Sequence, residues 1–475
     1  MFNFKFRIMK KIKYTIFGSL LLLGVLTSCT KDDLDLKPIS STYEEEFYKT
    51  DKDILGLVLG VYDGLQAIPM REFTLTEMRS DNATSRIHEG EYQQLETFNV
   101  DPTNSVSAGY YTANYNVIFR ANTVLAHIDV MKDAAKKVNY IAEAKFSRAL
   151  AYFNLVRAYG EVPLVDKLVT PTETTYFVKK PVADVYALIE ADFTGAIAGL
   201  PSRTSTTFGR ATKGAAQGLL AKVYLTQFKY SEALPLLTSL INDTSSNKYS
   251  LQTLSPPTLE AYKSVFYTEA NNEILFAIPF VNDSRFESQD FSIQMTIAGN
   301  ALNYATANLR TFLTVNSTTD LRFTTNLLTT VGATSTSYGQ NNKFTKNSIV
   351  AAQAGNDWIV LRMADVLLLY VEAVMGTGTS TNDAAAIAAY DKVRNRSFVA
   401  PVVSTSITKT MLLDQRRVEF AFENQRLYDL IRFGIANTVL SAYSNTFTTT
   451  KDLLLPLPQS EINSSKGLLV QNPLY

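Results

Sequence analysis

The sequence predicts a fold dominated by α-helices, built from helix pairs, with a loop-rich insertion carrying short strands. Three observations predict it. Apolar residues recur at three- and four-residue steps in segments spread along most of the 475 residues. A long Ser, Thr, Asn and Gly-rich stretch separates two groups of those segments. A 46% hydrophobic content supplies a core large enough to bury them.

The N-terminus reads as an address. Lys5, Arg7, Lys10, Lys11 and Lys13 precede the mostly apolar run 14–26, and no acid occurs before Asp32. A run of that length suits the apolar part of a signal peptide and falls short of the ~20 residues that span a bilayer. Met1 and Met9 both fit as a start, since the second opens directly on the lysine cluster. Leu26-Thr27-Ser28-Cys29 resembles a bacterial lipobox, so residues 1–28 are expected to be removed and Cys29 to carry acyl chains. Acyl chains at ~0.8 kcal/mol per buried methylene hold a protein on a membrane without a spanning helix. No later segment reads as a span. Thr30 to Asp35 adds an acidic tether, similar to the signal that sends lipoproteins of the Bacteroidetes to the outer face of the outer membrane. Cys29 is the only cysteine, which leaves the remaining chain neither a disulfide nor a thiol nucleophile. Without residues 1–28 the chain has 40 basic and 45 acidic side chains, a balance opposed to nucleic-acid binding.

From Glu143 to Tyr159, Phe146, Ala149, Leu150 and Phe153 share one helix face, and Gly160 with Pro163 stops the helix. Residues 209–225 form a second helix with Ala and Gly on its packing side, and Tyr230–Ile241 follows after a short turn. The pair resembles a tetratricopeptide unit, in which small residues let two antiparallel helices approach. A further pair covers Leu361–Ala373 and Asp383–Arg396. Between them, residues 250–357 are too long for a connection and form the natural variable surface, with Glu273–Phe280 as a strand that orders it. Near the C-terminus, Arg416, Glu419, Glu423, Arg426, Asp429 and Arg432 alternate charge along one apolar helix. Burial there demands pairing, so the charges read as a structural ion network.

These segments carry a family resemblance. The lipobox at Cys29, EAKFSRALAYFNLVRAYGEVPLV (143–165), GRATKGAAQGLLAKVYL (209–225), LRMADVLLLYVEA (361–373), RRVEFAFENQRLYDLIRFG (416–434), and LLPLPQSEIN with the terminal QNPLY occur in that order. Together they resemble the SusD/RagB nutrient-binding lipoproteins over the whole chain. Gln415, Asn424, Gln425 and Leu474 depart from the pattern, at scaffold positions. The resemblance implies a signal peptide at 1–28 and one SusD-like domain at 29–475. That domain comprises an N-terminal helical part to 249, a ligand-side region at 250–357 and C-terminal helices with a tail from 358. It further implies four tetratricopeptide-like pairs and a lipid-anchored, outward-facing position at the outer membrane. The implied partner is a SusC-like TonB-dependent transporter, to which a captured oligosaccharide or glycan, or in some members a peptide, is delivered without catalysis.

Catalytic signatures are missing. The sequence contains no G-x-S-x-G elbow, phosphate loop, dinucleotide turn or H-E-x-x-H helix, and His88 and His127 are its only histidines. No metal and no cofactor is expected. A glycoside hydrolase using two of the many carboxylates, and a scaffold holding other proteins, stand as alternatives. Ligand candidates lie where charged, amide and aromatic groups meet turn signals: Arg79, Asp81, Asn82, Arg86, Tyr92, Tyr110, Tyr111 and Tyr115. By position in the family, Phe286, Tyr304 and Tyr338 join them. Trp358 stands before a helix and reads as core.

Overall fold

The computed structural model describes residues 47–86, 88–203, 208–254, 259–296, 300–315, 317–328, 339–345, 350 and 352–475. The signal peptide, Cys29 and Tyr338 lie outside the described residues. Residues 50–475 belong to one compact unit. Helix starts follow local chemistry. Thr50 opens α1 (Asp51–Gln66) with a capping box, its hydroxyl accepting from the Asp53 amide while the Asp53 carboxylate accepts from Thr50. After β1 (Ala83–Thr84), Asn104 caps α2 (Ser105–His127) and Asp133 caps α3 (Ala134–Tyr159). Gly160 at φ +73° ends α3. Next come α4 (Val182–Gly199), α5 (Lys213–Thr226) and α6 (Tyr230–Ile241). Then β2 (Ile274–Ile278) and β3 (Tyr304–Ala305) lie in the insertion, and β4 (Trp358–Arg362) leads straight into α7 (Met363–Met375). α8 (Ala384–Asn395), α9 (Lys409–Glu419) and α10 (Arg426–Arg432) complete the principal elements.

The helices stack in chain order, each of α1 to α7 packing on the next and α7 also on α8 and α9. This is the repeat array that the helix pairs predict. The insertion leaves the array along β2 and returns along β4, and the two strands pair antiparallel from Ile278 opposite Trp358 to Ile274 opposite Arg362. α7 therefore docks on α6 although more than a hundred residues separate them. The core continues across the sheet: the Phe146 ring on α3 meets Phe193 of α4 at 5.7 Å and Phe276 of β2 at 4.8 Å. Contrary to the expectation that no later segment reads as a span, the run Asp51–Leu75 is long and apolar enough by composition to cross a membrane. Its apolar side chains Ile54, Val58, Val61 and Leu65 are buried in the core, which accounts for that composition.

The helix expected over 209–225 begins at Lys213, past Gly209 at φ +85°, and the helix expected from Glu143 begins earlier, at Ala134. Two further expectations change. Leu361 lies in β4, so the helix expected from it begins at Met363. The single charged helix expected over 416–434 is two helices separated by a turn at 420–425, where Phe422 and Asn424 take φ of +68° and +55°. The turn folds the charges into a network instead of a stripe. Arg362, at the end of β4, uses all five N–H donors. They reach Glu273, Glu419 and Glu423, with side-chain distances of 2.6–2.9 Å, and the Glu419 carbonyl. Arg322 binds Asp320 and Glu419, Arg396 binds Glu273 and Glu419, and Lys343 binds Glu423 at 2.6 Å. Burial alone would raise the Glu419 carboxyl, but Arg396, Arg362 and Arg322 hold it well below the usual carboxylate range. A second set joins Lys222 and Arg416 to Asp365, and Arg416 and Arg432 to Asp429.

Close packing of α5 depends on small residues. A Cβ on Gly218 would lie 2.5 Å from Leu361, 3.4 Å from Leu275 and 3.5 Å from Leu240, closed in on three sides, whereas Gly56 on the exposed face of α1 has nothing within 4 Å. Gly218→Ala is expected to destabilise by about 1–3 kcal/mol through overpacking. Gly56→Ala is expected to stabilise by up to about 1 kcal/mol through helix propensity. Thermal melts of both variants check this: a shift of the same sign in each would contradict the packing.

Candidate ligand-binding surface

Interior charge positions the surface. Arg426 donates to Asp81 at 2.7 and 2.9 Å, and Arg417 reaches Asp81 at 2.9 Å and the Asn82 side chain at 2.9 Å. Burial tends to raise the Asp81 carboxyl, and the two arginines bring it below its ordinary value. Thr306 then donates from its amide to the Asn82 carbonyl and from its hydroxyl to the Asp81 carbonyl. The chain on either side pairs as β1 and β3, Ala83 opposite Ala305 and Thr84 opposite Tyr304.

The pairing brings Arg86 and Tyr304 together, with the exposed guanidinium 5.9 Å from the ring centroid. The Arg86 amide donates to the Ala301 carbonyl at 3.2 Å. Beside them the Glu96 carboxylate accepts from the Thr84 hydroxyl and the Ser85 amide and lies 3.2 Å from His88 Nδ1. His88, Ala301 and Asn303 all hold φ near +50°, a conformation costly for residues other than glycine. Burial raises the Tyr304 hydroxyl above its ordinary value, which keeps it a donor, here toward Gln340.

Phe286 stands apart from this packing. It is 83% exposed, in a turn closed by the Val281 amide donating to the Glu287 carbonyl at 2.7 Å. The Ser284 hydroxyl accepts from the amides of Phe286 and Glu287, and Gln66 of α1 donates to Pro279 and Glu287. The Arg285 guanidinium lies 5.6 Å from the Phe286 ring centroid, and the exposed remainder of the ring on an anchored turn is a ready stacking platform.

Several candidates are corrected by burial. Arg79, Asp81, Asn82 and Tyr110 are each no more than 4% exposed and spend their polar atoms inside. Arg79 donates to the Asp452 carbonyl at 2.7 Å, and the Tyr110 hydroxyl faces Glu72. They face away from solvent because a helix array interrupted by an insertion needs internal polar ties. Tyr304 presents little surface beneath Arg86, and Tyr92 packs half-buried against the core. Tyr111 and Tyr115 lie on α2 beside Tyr110 and line a groove to which none of the other candidates contributes. Trp358 is core as expected, donating to Glu72 at 2.9 Å between the Phe291 and Phe344 rings. Sequence reasoning missed Glu96, whose role depends on a contact with β1 that no periodicity announces. Among the described residues no cluster of His, Cys, Asp and Glu could hold a metal.

Comparison with known proteins covers nearly the whole chain. Residues 32–225 match a family profile described as "Starch-binding associating with outer membrane", and residues 284–475 match the "SusD family" profile. A SusD-like protein P2 of Formosa agariphila is 27% identical, over 98% of this chain and 100% of its own. A solved "Laminarin binding SusD-like protein" superposes with a TM-score of 0.75 at 26% identity, covering 90% of this chain and 100% of that one. A SusD homolog from Bacteroides thetaiotaomicron gives 0.76 at 24% identity, over 91% and 99%.

Glu77 underlies β1. It is fully buried, accepts from the Asn82 amide group and the Asn424 backbone, and is pushed up to about 7 by burial. The native state therefore holds a proton that the unfolded chain releases, so this group's contribution to stability falls as pH rises from about 4.5 to about 7. Glu77→Gln removes that dependence. The melting temperature of the variant minus that of the parent is expected to rise between pH 5 and pH 8, and a flat difference would refute the assignment.

Proposed function

The chain belongs to the SusD/RagB family, and from that premise we propose that it is a non-catalytic surface protein that captures an oligosaccharide or glycan and delivers it to a SusC-like TonB-dependent transporter. The observation that carries this reading is the likeness, over 90% of the chain, to a laminarin-binding structure. The geometry supports it in two places. Phe286 offers an open aromatic face of the kind that packs against the C–H face of a sugar ring, and Arg86 places a planar guanidinium at the surface beside Tyr304. Both lie on backbone held by strand pairing or turn hydrogen bonds, so little ordering cost attends binding.

Anchoring completes the proposal. The family profile's own description associates such proteins with the outer membrane. Acylation of Cys29 would hold this one there, with the capture surface facing outward. Metabolic labelling with a palmitate analogue is expected to mark the parent and not Cys29→Ala, and labelling of both would remove the anchor from the proposal.

Full-length protein in detergent, titrated calorimetrically with laminarin oligosaccharides and other neutral glycans, tests the capture. A saturable ligand recovered intact is expected, with affinity about tenfold lower in Phe286→Ala, a loss near 1.4 kcal/mol, and an unchanged melting temperature. Cleaved products would make the protein a hydrolase instead.

A further inference from the structure

An open groove of about 490 Å3 lies along α2, walled by the segment from Pro163 to Phe177 and by the short tail helix Gln459–Ser464. One side is aromatic. Tyr115, Tyr176 and Phe177 are each partly exposed in it, and Tyr111 shows an edge beneath Tyr115, 4.6 Å between centroids. The rings are set from behind: the Tyr115 hydroxyl donates to the Pro163 carbonyl at 2.7 Å, and Tyr111 packs edge-on against Tyr159. The other side is polar and unspent. Thr112 and Asn116, one turn apart on the open face of α2, and the Glu461 carboxylate form no side-chain hydrogen bond or ion pair with any described residue.

We propose that this groove is a second carbohydrate subsite, taking a short neutral oligosaccharide; the proposal rests on the glycan-capture reading and extends it to a different face of the protein. The chemistry selects the occupant. An apolar ligand would strip water from three polar groups and pair none of them, at roughly 1–3 kcal/mol each. An anionic sugar would meet Glu461, while the nearby Lys167, 5.2 Å from the Tyr176 ring centroid, already pairs with Glu173 at 2.7 Å. A neutral pyranose has an apolar face for the rings and hydroxyls for the rim. The groove's volume lies within the roughly 300–1,000 Å3 of small-ligand sites. Phe119, four residues past Tyr115 on the same helix face and 62% exposed, continues the aromatic line beyond the groove, so a longer glycan would run along α2.

Photolabelling of the full-length protein in detergent tests this, with β-1,3- and α-1,4-linked glucose hexamers carrying a reducing-end diazirine. Saturable labels are expected on peptides from α2 and from 459–469. They should fall at least tenfold in Tyr176→Ala and in the exposed-face variant Asn116→Leu, and persist in Phe286→Ala and Arg86→Ala. Labels confined to residues near Arg86 or Phe286 and untouched by Tyr176→Ala would overturn the groove and leave capture standing. No saturable label from either hexamer would overturn both. Preferential labelling of the groove by a galacturonate hexamer carrying the same diazirine would overturn the neutral ligand.

Discussion

One buried guanidinium holds the architecture together. Arg362 ends β4 at the point where the insertion rejoins the helix array, and its five donors are distributed over β2's flank at Glu273, α9 at Glu419 and the following turn at Glu423. A planar fork with fixed donor directions can be filled this way in one register only. Shifting β4 by one residue would turn Arg362 to the opposite face and leave three carboxylates buried without it. Apolar residues could fill the same volume, but they would not specify which strand residue sits opposite which helix. For a chain that departs from a repeat and returns after a long insertion, that specification is the harder problem.

The candidate ligand-binding surface inherits its geometry from the same source. Glu419 and Glu423 belong to the stretch whose left-handed residues bend α9 into α10, and the bend presents the Asn424 amide to Glu77. Glu77 in turn takes the Asn82 amide group, and Arg417 and Arg426, one on each side of the bend, take Asn82 and Asp81. β1 is only two residues long and could not hold a register by ladder hydrogen bonds. Anchored from below, it pairs with β3 and carries Arg86 outward. A glutamate whose carboxyl is raised by burial suits this place, because it satisfies two donors with less charge to desolvate than an ordinary carboxylate carries.

The scaffold was legible wherever one helix face was periodic. Tyr230–Ile241 is read with its observed bounds, and 143–159 and 383–396 coincide with α3 and α8 to within a turn at their C-terminal ends, because capping residues, Gly160 and apolar spacing all act locally. The break at 420–425 was illegible because the apolar pattern continues through it; only the backbone at Phe422 and Asn424 shows the bend. Leu474, one of the departures from the family pattern, holds φ +70°, a conformation that glycine adopts more readily than leucine. Arg79, Asp81 and Asn82 resembled a ligand site because sequence gives residue type without depth. The polar groups that tie an interior are the same kinds that bind a ligand.

At some positions depth inverts the usual expectation for this protein. A part of the charge, which composition suggests should be on the surface, lies inside as paired Arg–Glu and Arg–Asp clusters. Most aromatic rings pack in the core, but some emerge at Phe286, Phe119 and the Tyr115–Tyr176 groove. The inversion follows from what each surface must do. An interior built from two non-contiguous parts gains a unique register from directional bonds in a medium where each is strong. A surface that meets neutral sugars gains little from charge, which water solvates better than hydroxyls do, and more from flat apolar faces that lose few rotamers on contact. The residues most informative about binding are therefore the exposed rings, and their exposure is a property of the folded chain alone.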